Sequence, residues 1–225
     1  MQLKLLKKEE LKTTFIIKET EPYIVNALRR MVLEEVPSMA IEEVTFVKNQ
    51  SALYDEIVSH RMGLIPLTTD LKSYNLPDDC KCKGKGCARC ELKLVLEAKG
   101  PCTVLSENLK SKDPKIKPAF PDMPITKLLK GQTLQLEATA RLGKGKQHAK
   151  FAPGLAYYKS LPILTAENAD LKKLQEKCKN LTVKGKNLEV KDLNEWTEAD
   201  EQTCEEHGVK VEYSDTDFVF ILESW

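Results

Sequence analysis

Four of the seven cysteines in this 225-residue chain lie within eleven residues, as Cys80-x-Cys82-x4-Cys87-x2-Cys90 inside DDCKCKGKGCARCE. Four thiolates arriving in two close pairs close a tetrahedron around zinc, and the chain around them must form a tight loop. Gly84 and Gly86 supply backbone freedom for such a wrap. Lys81, Lys83, Lys85 and Arg89 offset the excess negative charge of Zn²⁺ held by four thiolates. Closed four-sulfur coordination leaves no position for water, so the expected role is structural, with one ion. An iron–sulfur cluster is the rival, because its C-x4-C-x2-C run matches part of this spacing. Free surface thiols are a weaker alternative, since clustered exposed cysteines oxidise readily. The remaining Cys102, Cys178 and Cys204 have no companions in sequence and read as small hydrophobes.

The length admits one or two domains. Lys+Arg 35 against Asp+Glu 34 leaves a formal charge of +1, which argues against a dedicated nucleic-acid or membrane-surface binder. With 41% hydrophobic residues the chain is globular and not disordered. No apolar run spans a bilayer, no signal-peptide core stands at the amino end, and the cysteines do not form a disulfide framework. These point to an intracellular, cytoplasmic protein.

Residues 1–17 read as two short strands joined by the charged turn Lys7–Glu10. Thr20 is a candidate helix cap, followed by Pro22 in the first turn. Val25, Leu28, Val32 and Val36, with Ile24 and Met31 beside them, make an apolar stripe at helical spacing up to Pro37. A strand follows through Met39, Ile41, Val44 and Phe46, irregular at Glu42–Glu43. A second helix is expected over Leu53–Leu64, capped by Ser51 or Asn49. Residues 68–91 read as loop, Pro101–Leu105 and the alternations at Leu92–Leu96 and Leu134–Leu142 as strands, and the proline-rich 106–125 as mostly loop. Gly143–Lys150 reads as a turn, in solvent or against protein. Helices are expected at 167–178 and 197–206. Two strands, Val209–Tyr213 and Phe218–Leu222, close the chain around a turn at Ser214–Asp217. Strands at both ends around a loop-rich middle suggest an α+β chain whose termini build one discontinuous domain, 1–46 with 156–225, while 47–155 forms an inserted, mostly β domain carrying the metal loop 80–90.

No nucleophile elbow, phosphate loop or H-E-x-x-H motif is present. His60, His148 and His207 are isolated in sequence, and His60-Arg61 suits a helix terminus. Asp55 and Glu56 are adjacent on a helix and do not face each other. The residues alone describe a metal-stapled structural or assembly component.

Asn26-Ala-Leu-Arg-Arg30, Glu34-Glu-Val-Pro37 and Ala40-Ile-Glu-Glu-Val44 form a block that resembles the D-type subunit of archaeal DNA-directed RNA polymerase. That family is related to the third-largest subunit of eukaryotic RNA polymerase II and to the amino-terminal domain of the bacterial α subunit. The resemblance continues through Asn49-x-Ser-Ala-Leu-Tyr-Asp-Glu56 and His60-Arg-Met-Gly-Leu-Ile-Pro-Leu67. It returns at His148-Ala-Lys-Phe-Ala-Pro153 and Phe218-Val-Phe-x-Leu-Glu-Ser224. It implies a non-catalytic assembly subunit, in which the discontinuous domain dimerises with a smaller L-like subunit through Val25, Leu28, Met31, Val32 and Val36. Arg29 and Arg30, expected on the opposite helix side from Val25 and Val32, would reach the large catalytic subunits. The cysteine loop resembles the family's zinc loop. Residues 165–207 would be a degenerate remnant of a ferredoxin-like domain, and with only Cys178 and Cys204 they imply no iron–sulfur cluster. Neither membrane nor sequence-specific nucleic-acid binding is implied. The competing function is a freestanding zinc module touching nucleic acid through Lys81–Arg89 and Lys144–Lys150. The chain also stops at Trp225, short of the family's C-terminal helix.

Overall fold

A computed structural model describes residues 1–166, 177, 178, 180–184 and 187–225. The helix expected at 167–178 lies, apart from its last two residues, outside the described residues. The chain divides into two compact units, Met1–Arg29 with Ala156–Glu223, and Arg30–Leu155 with Ser224–Trp225.

The first unit is built on a four-stranded sheet of β1 (Gln2–Lys8), β2 (Lys12–Lys18), β12 (Val209–Ser224) and β9 (Gly154–Ala166), in the order β1-β2-β12-β9. Strand β2 runs antiparallel to both neighbours, with Phe15 opposite Phe220 and Ile17 opposite Phe218. The Phe15 and Phe220 rings stack at 5.1 Å. Ile16, Ile17 and the run Phe218–Ile221 are buried, as expected of inner strands with apolar side chains on both faces. The end of the chain is one continuous strand, not two strands and a turn. The Ser214 hydroxyl accepts hydrogen bonds from the Thr216 and Asp217 amides, so the polar segment is accommodated without reversing the chain. A smaller cluster joins Cys178, Leu181, Leu188, Trp196, Cys204 and Val209, drawing on β10 (Leu181–Lys184), β11 (Asn187–Val190) and α3 (Glu198–Glu206). Asp200 caps α3 by accepting from the Thr197 amide at 3.0 Å.

The second unit holds the larger core. Its main sheet has the order β3-β8-β4-β6, from β3 (Pro37–Asn49), β8 (Thr133–Lys144), β4 (Glu91–Lys99) and β6 (Lys110–Ser111). Leu134, Leu136, Ala138, Ala140 and Leu142 of β8 alternate inward, the period expected of a strand with one buried face. Beside them in the same sheet stand Leu94, Leu96, Met39 and Ile41, and Val58 and Met62 of α2 (Asp55–Gly63) join the same core. A hairpin-like pair, β5 (Cys102–Leu105) and β7 (Pro124–Leu128), adds Val104, Ile125 and Leu128. The irregularity expected at Glu42–Glu43 is a β-bulge: Ile41 faces Ala140 and Glu43 faces Thr139, leaving Glu42 without an opposite residue. By contact the chain parts at Arg29/Arg30, and β3 pairs with β8 along its whole length, so residues 37–46 pack within the second unit.

Among the described residues, no helix is long and apolar enough to cross a membrane.

Candidate metal centre and exposed helix face

The cysteine loop lies between α2 and β4. Its four sulfurs all stand within 4.8 Å of one another. Cys80 Sγ is 3.5 Å from Cys87 Sγ, Cys82 Sγ 3.4 Å from Cys90 Sγ, and Cys87 Sγ 3.7 Å from Cys90 Sγ. Sulfurs about 2.3 Å from a central zinc form a tetrahedron with edges of roughly 3.8 Å, so this spacing fits the ion. Two turns build it: the Lys83 amide donates to Cys80 O at 2.8 Å, and the Cys90 and Glu91 amides donate to Cys87 O at 2.9 Å. Gly86 takes φ 86°, a backbone conformation that favours glycine over residues with a side chain. The loop is rooted in the core. Cys80 and Cys90 are buried, Cys90 immediately precedes β4, and the Asn75 amide donates to Arg89 O at 2.8 Å. Burial pushes the Cys90 thiol up to about 12, whereas the hydrogen bond with Cys90 brings Cys82 down to about 7. One sulfur deprotonates readily and its neighbour resists, a contrast that a cation among them would remove.

The second feature is α1 (Pro22–Glu34), which begins after Glu21, whose carbonyl accepts from the Ile24 and Val25 amides. Thr20, the expected cap, makes no such bond: its buried hydroxyl oxygen has no hydrogen-bond partner among the described residues. Only Val25 of the thirteen helical residues is buried, at 1% exposure. Tyr23, Ile24, Leu28 and Met31 are exposed, at 71%, 41%, 38% and 60%, and Ala27 is exposed between them. At 100° per residue these five share one arc, and the inward arc holds Val25, Val32 and Leu33. The stripe read from the sequence therefore splits in two. Val25 is buried by the chain itself and Val32 is half-buried, so neither is free for another surface, while Val36 lies beyond the helix end and is exposed. Tyr23 and Ala27 escape the sequence reading, although their i, i+4, i+8 spacing with Met31 marks them.

The two arginines also separate. Arg29, four residues after Val25, stands on the Val25 side of the helix and not opposite it. Its Nε donates to Asn26 Oδ1 at 3.1 Å. Arg30 lies on the other side, as expected, where it bonds Glu34 through two nitrogens at 3.2 Å.

Other polar residues serve the fold. His60 and Arg61 occupy the last turn of α2, where the helix dipole favours cations, and Arg61 Nη1 donates to Ile125 O at 2.7 Å. Asn49, offered as a cap for α2, instead receives the Ser51 amide and hydroxyl at 3.0 and 2.7 Å and organises the preceding turn. Cys178 and Cys204 are buried in the smaller apolar cluster.

Residues 39–163, more than half of the chain, match the family model described as the RNA polymerase Rpb3/RpoA insert domain. Over its full length the chain is 36% identical to the DNA-directed RNA polymerase subunit Rpo3 of Methanosarcina acetivorans, covering 88% of that protein. The chain belongs to the Rpo3 family. The Rpo3 of Methanopyrus kandleri is 38% identical over 95% of this chain and 81% of its own length. The Rpo3 of Pyrococcus horikoshii reaches 47% identity over 71% of this chain and 59% of its own. The family match spans β3 to β9 and includes the cysteine loop.

Proposed function

We propose that this chain is a non-catalytic assembly subunit of a DNA-directed RNA polymerase, working in the cytoplasm, and that α1 pairs with a smaller L-like subunit to form a platform for the large catalytic subunits. One observation carries the pairing: α1 buries a single side chain in its own protein and presents Tyr23, Ile24, Ala27, Leu28 and Met31 on one open arc. A helix of this length gains little stability from propensity, and most of it must come from a covered apolar face. Covering a leucine completely is worth about 1.5–3 kcal/mol. The first unit, which contributes the amino-terminal end of α1, is accordingly read as the dimerisation domain, and the second as the insert. Polymerisation chemistry belongs to the larger partners in this reading, which assigns their contact to Arg30, the arginine on the helix side away from Val25.

The same reading assigns one structural zinc ion to Cys80, Cys82, Cys87 and Cys90, and no iron–sulfur cluster to the chain. A closed set of four thiolates rooted in a sheet holds shape and offers no reactive position. The nucleic-acid alternative is disfavoured by charge. Zinc with four thiolates carries about −2, and Asp78, Asp79 and Glu91 flank the loop's four cations, so no basic excess remains for phosphate.

Co-expression with an archaeal L-like subunit, followed by size-exclusion chromatography with light scattering, tests the assignment. The expected result is a 1:1 complex, and self-association of the chain expressed alone. A monodisperse monomer that ignores the L-like subunit contradicts it.

A further inference from the structure

Helix α1 offsets Glu34 with its own Arg30, one turn earlier, but leaves the C-terminal end and Glu35 to another part of the chain. Its last turn holds no cation, and Glu34 and Glu35 place negative charge where the helix dipole is already negative. The compensation comes from the turn that follows β8, more than a hundred residues later in the chain. Lys144 Nζ stands 2.9 Å from Glu35 Oε2 and Lys146 Nζ 3.9 Å from Glu35 Oε1. The Lys146 amide donates to the Glu34 carbonyl at 3.1 Å, satisfying one of the acceptors a helix end leaves open. Between the two lysines, Gly145 rests directly on the helix. A Cβ there would overlap the Leu33 carbonyl oxygen and stand 3.0 Å from its carbon. The turn is itself braced, since the Lys144 amide donates to Gln147 Oε1 at 3.0 Å and the Gln147 amide to the Lys144 carbonyl at 2.8 Å.

This cap is tied to the sheet on both sides. Pro37, at the start of β3, pairs with Lys144, and Ser38 with Gly143. The helix end, the first residues of β3 and the last residues of β8 thus converge on one three-residue contact, Lys144–Gly145–Lys146. All of these residues belong to the second unit. The hydrogen bond with Lys144 lowers the Glu35 carboxyl from its ordinary value and raises the lysine from its own, so both stay charged across the neutral range.

We infer that Lys144, Gly145 and Glu35 are positioning residues for partner pairing: the turn at the end of β8 clamps the C-terminal end of α1, so that this end of the helix is ordered before a partner docks. The inference rests on the reading that this face binds the L-like subunit. A helix fixed at one end loses less conformational freedom on docking than one that must first be ordered, which is the general benefit of preorganisation. Gly145 makes the close approach possible, and the Lys144–Glu35 pair sets its register. The residues touch no partner themselves; they act through the helix.

The test is titration calorimetry of the full chain with the purified L-like subunit, on zinc-loaded protein, for five variants. Lys144→Glu and Glu35→Lys should each weaken pairing about fivefold, the upper range for an exposed ion pair, and the loss should shrink at high salt. The double variant, with the charges exchanged, should recover most of the loss, falling short of the parent by the repulsion between Lys146 and the new lysine at position 35. Gly145→Ala should weaken pairing at least as much as either charge reversal, with zinc content unchanged. Leu28→Asp is the control for the pairing face. If Leu28→Asp abolishes binding while Lys144→Glu and Glu35→Lys bind like the parent, or the exchanged pair recovers none of the loss, the clamp is overturned and the pairing face stands. If Leu28→Asp binds normally, the pairing reading fails and the clamp's role fails with it. The charge exchange keeps the test decisive even where Gly145→Ala does not fold.

Discussion

Glu42, the extra residue at the bulge in β3, accepts a hydrogen bond from Arg141 Nη2 of β8 at 2.6 Å, and its other carboxylate oxygen meets Lys150. The bulge leaves Glu42 without a ladder partner, and its carboxylate meets two cations. Lys150 is only 13% exposed and has no other anion within reach among the described residues. Glu42→Ala should therefore destabilise the chain by about 1–3 kcal/mol, because it leaves a largely covered ammonium unpaired. Denaturant unfolding measures it. Arg141→Ala, whose side chain is more exposed, should cost less.

Acid stability should report on Asp70. Lys115 Nζ at 2.8 Å, the Ser73 hydroxyl and the Lys72 amide hold its carboxyl well below the usual carboxylate range. A carboxyl whose value is depressed by folding stabilises the folded state above the unfolded value near 4, and that contribution is lost as pH falls below it. The unfolding midpoint should decline below about pH 4, and Asp70→Asn should flatten that decline. An unchanged acid limb in Asp70→Asn would show that other carboxyls govern it.

Removing the metal should affect the insert and spare pairing. Cys82→Ser, or treatment with a strong chelator, should speed amide exchange in residues 75–91 and at the start of β4, where Cys90 joins the loop to the sheet. The complex with the L-like subunit should persist. Elemental analysis of the untreated protein should give one zinc per chain and no iron.

Leu28→Asp should abolish pairing and leave the chain folded, because Leu28 lies on the open arc. Val25→Asp should unfold it, because Val25 is buried. Circular dichroism and gel filtration separate the two results. Similar behaviour of both variants would contradict the division of the helix into an inward and an outward face.

The sequence carries the local periods well. Two-residue alternation marks β4 and β8, and the doubled glutamate in an otherwise alternating strand marks the bulge. The cysteine spacing marks the four sulfurs that the fold brings within 4.8 Å of one another. Three things escape it, each because tertiary contacts decide them. The apolar face of the helix is wide, so a stripe through Val25 and Val32 looks as suitable for a partner as the arc through Ile24 and Met31. Only the burial of Val25 distinguishes them. Ser214–Asp217 has turn-like composition, yet pairing of Phe218–Glu223 with β2 keeps the chain extended. The lysine turn at 144–150 reads as a solvated turn or a protein contact, and its partner Glu35 lies too far away in sequence for any local pattern to reveal.

Amide hydrogen exchange across Tyr23–Met31, measured with and without the L-like subunit, tests the central claim most directly. Rapid exchange is expected in the chain alone and strong protection in the 1:1 complex, with β8 unchanged. Protection already complete in the chain alone, and unaltered by the L-like subunit, would contradict an open pairing face on α1.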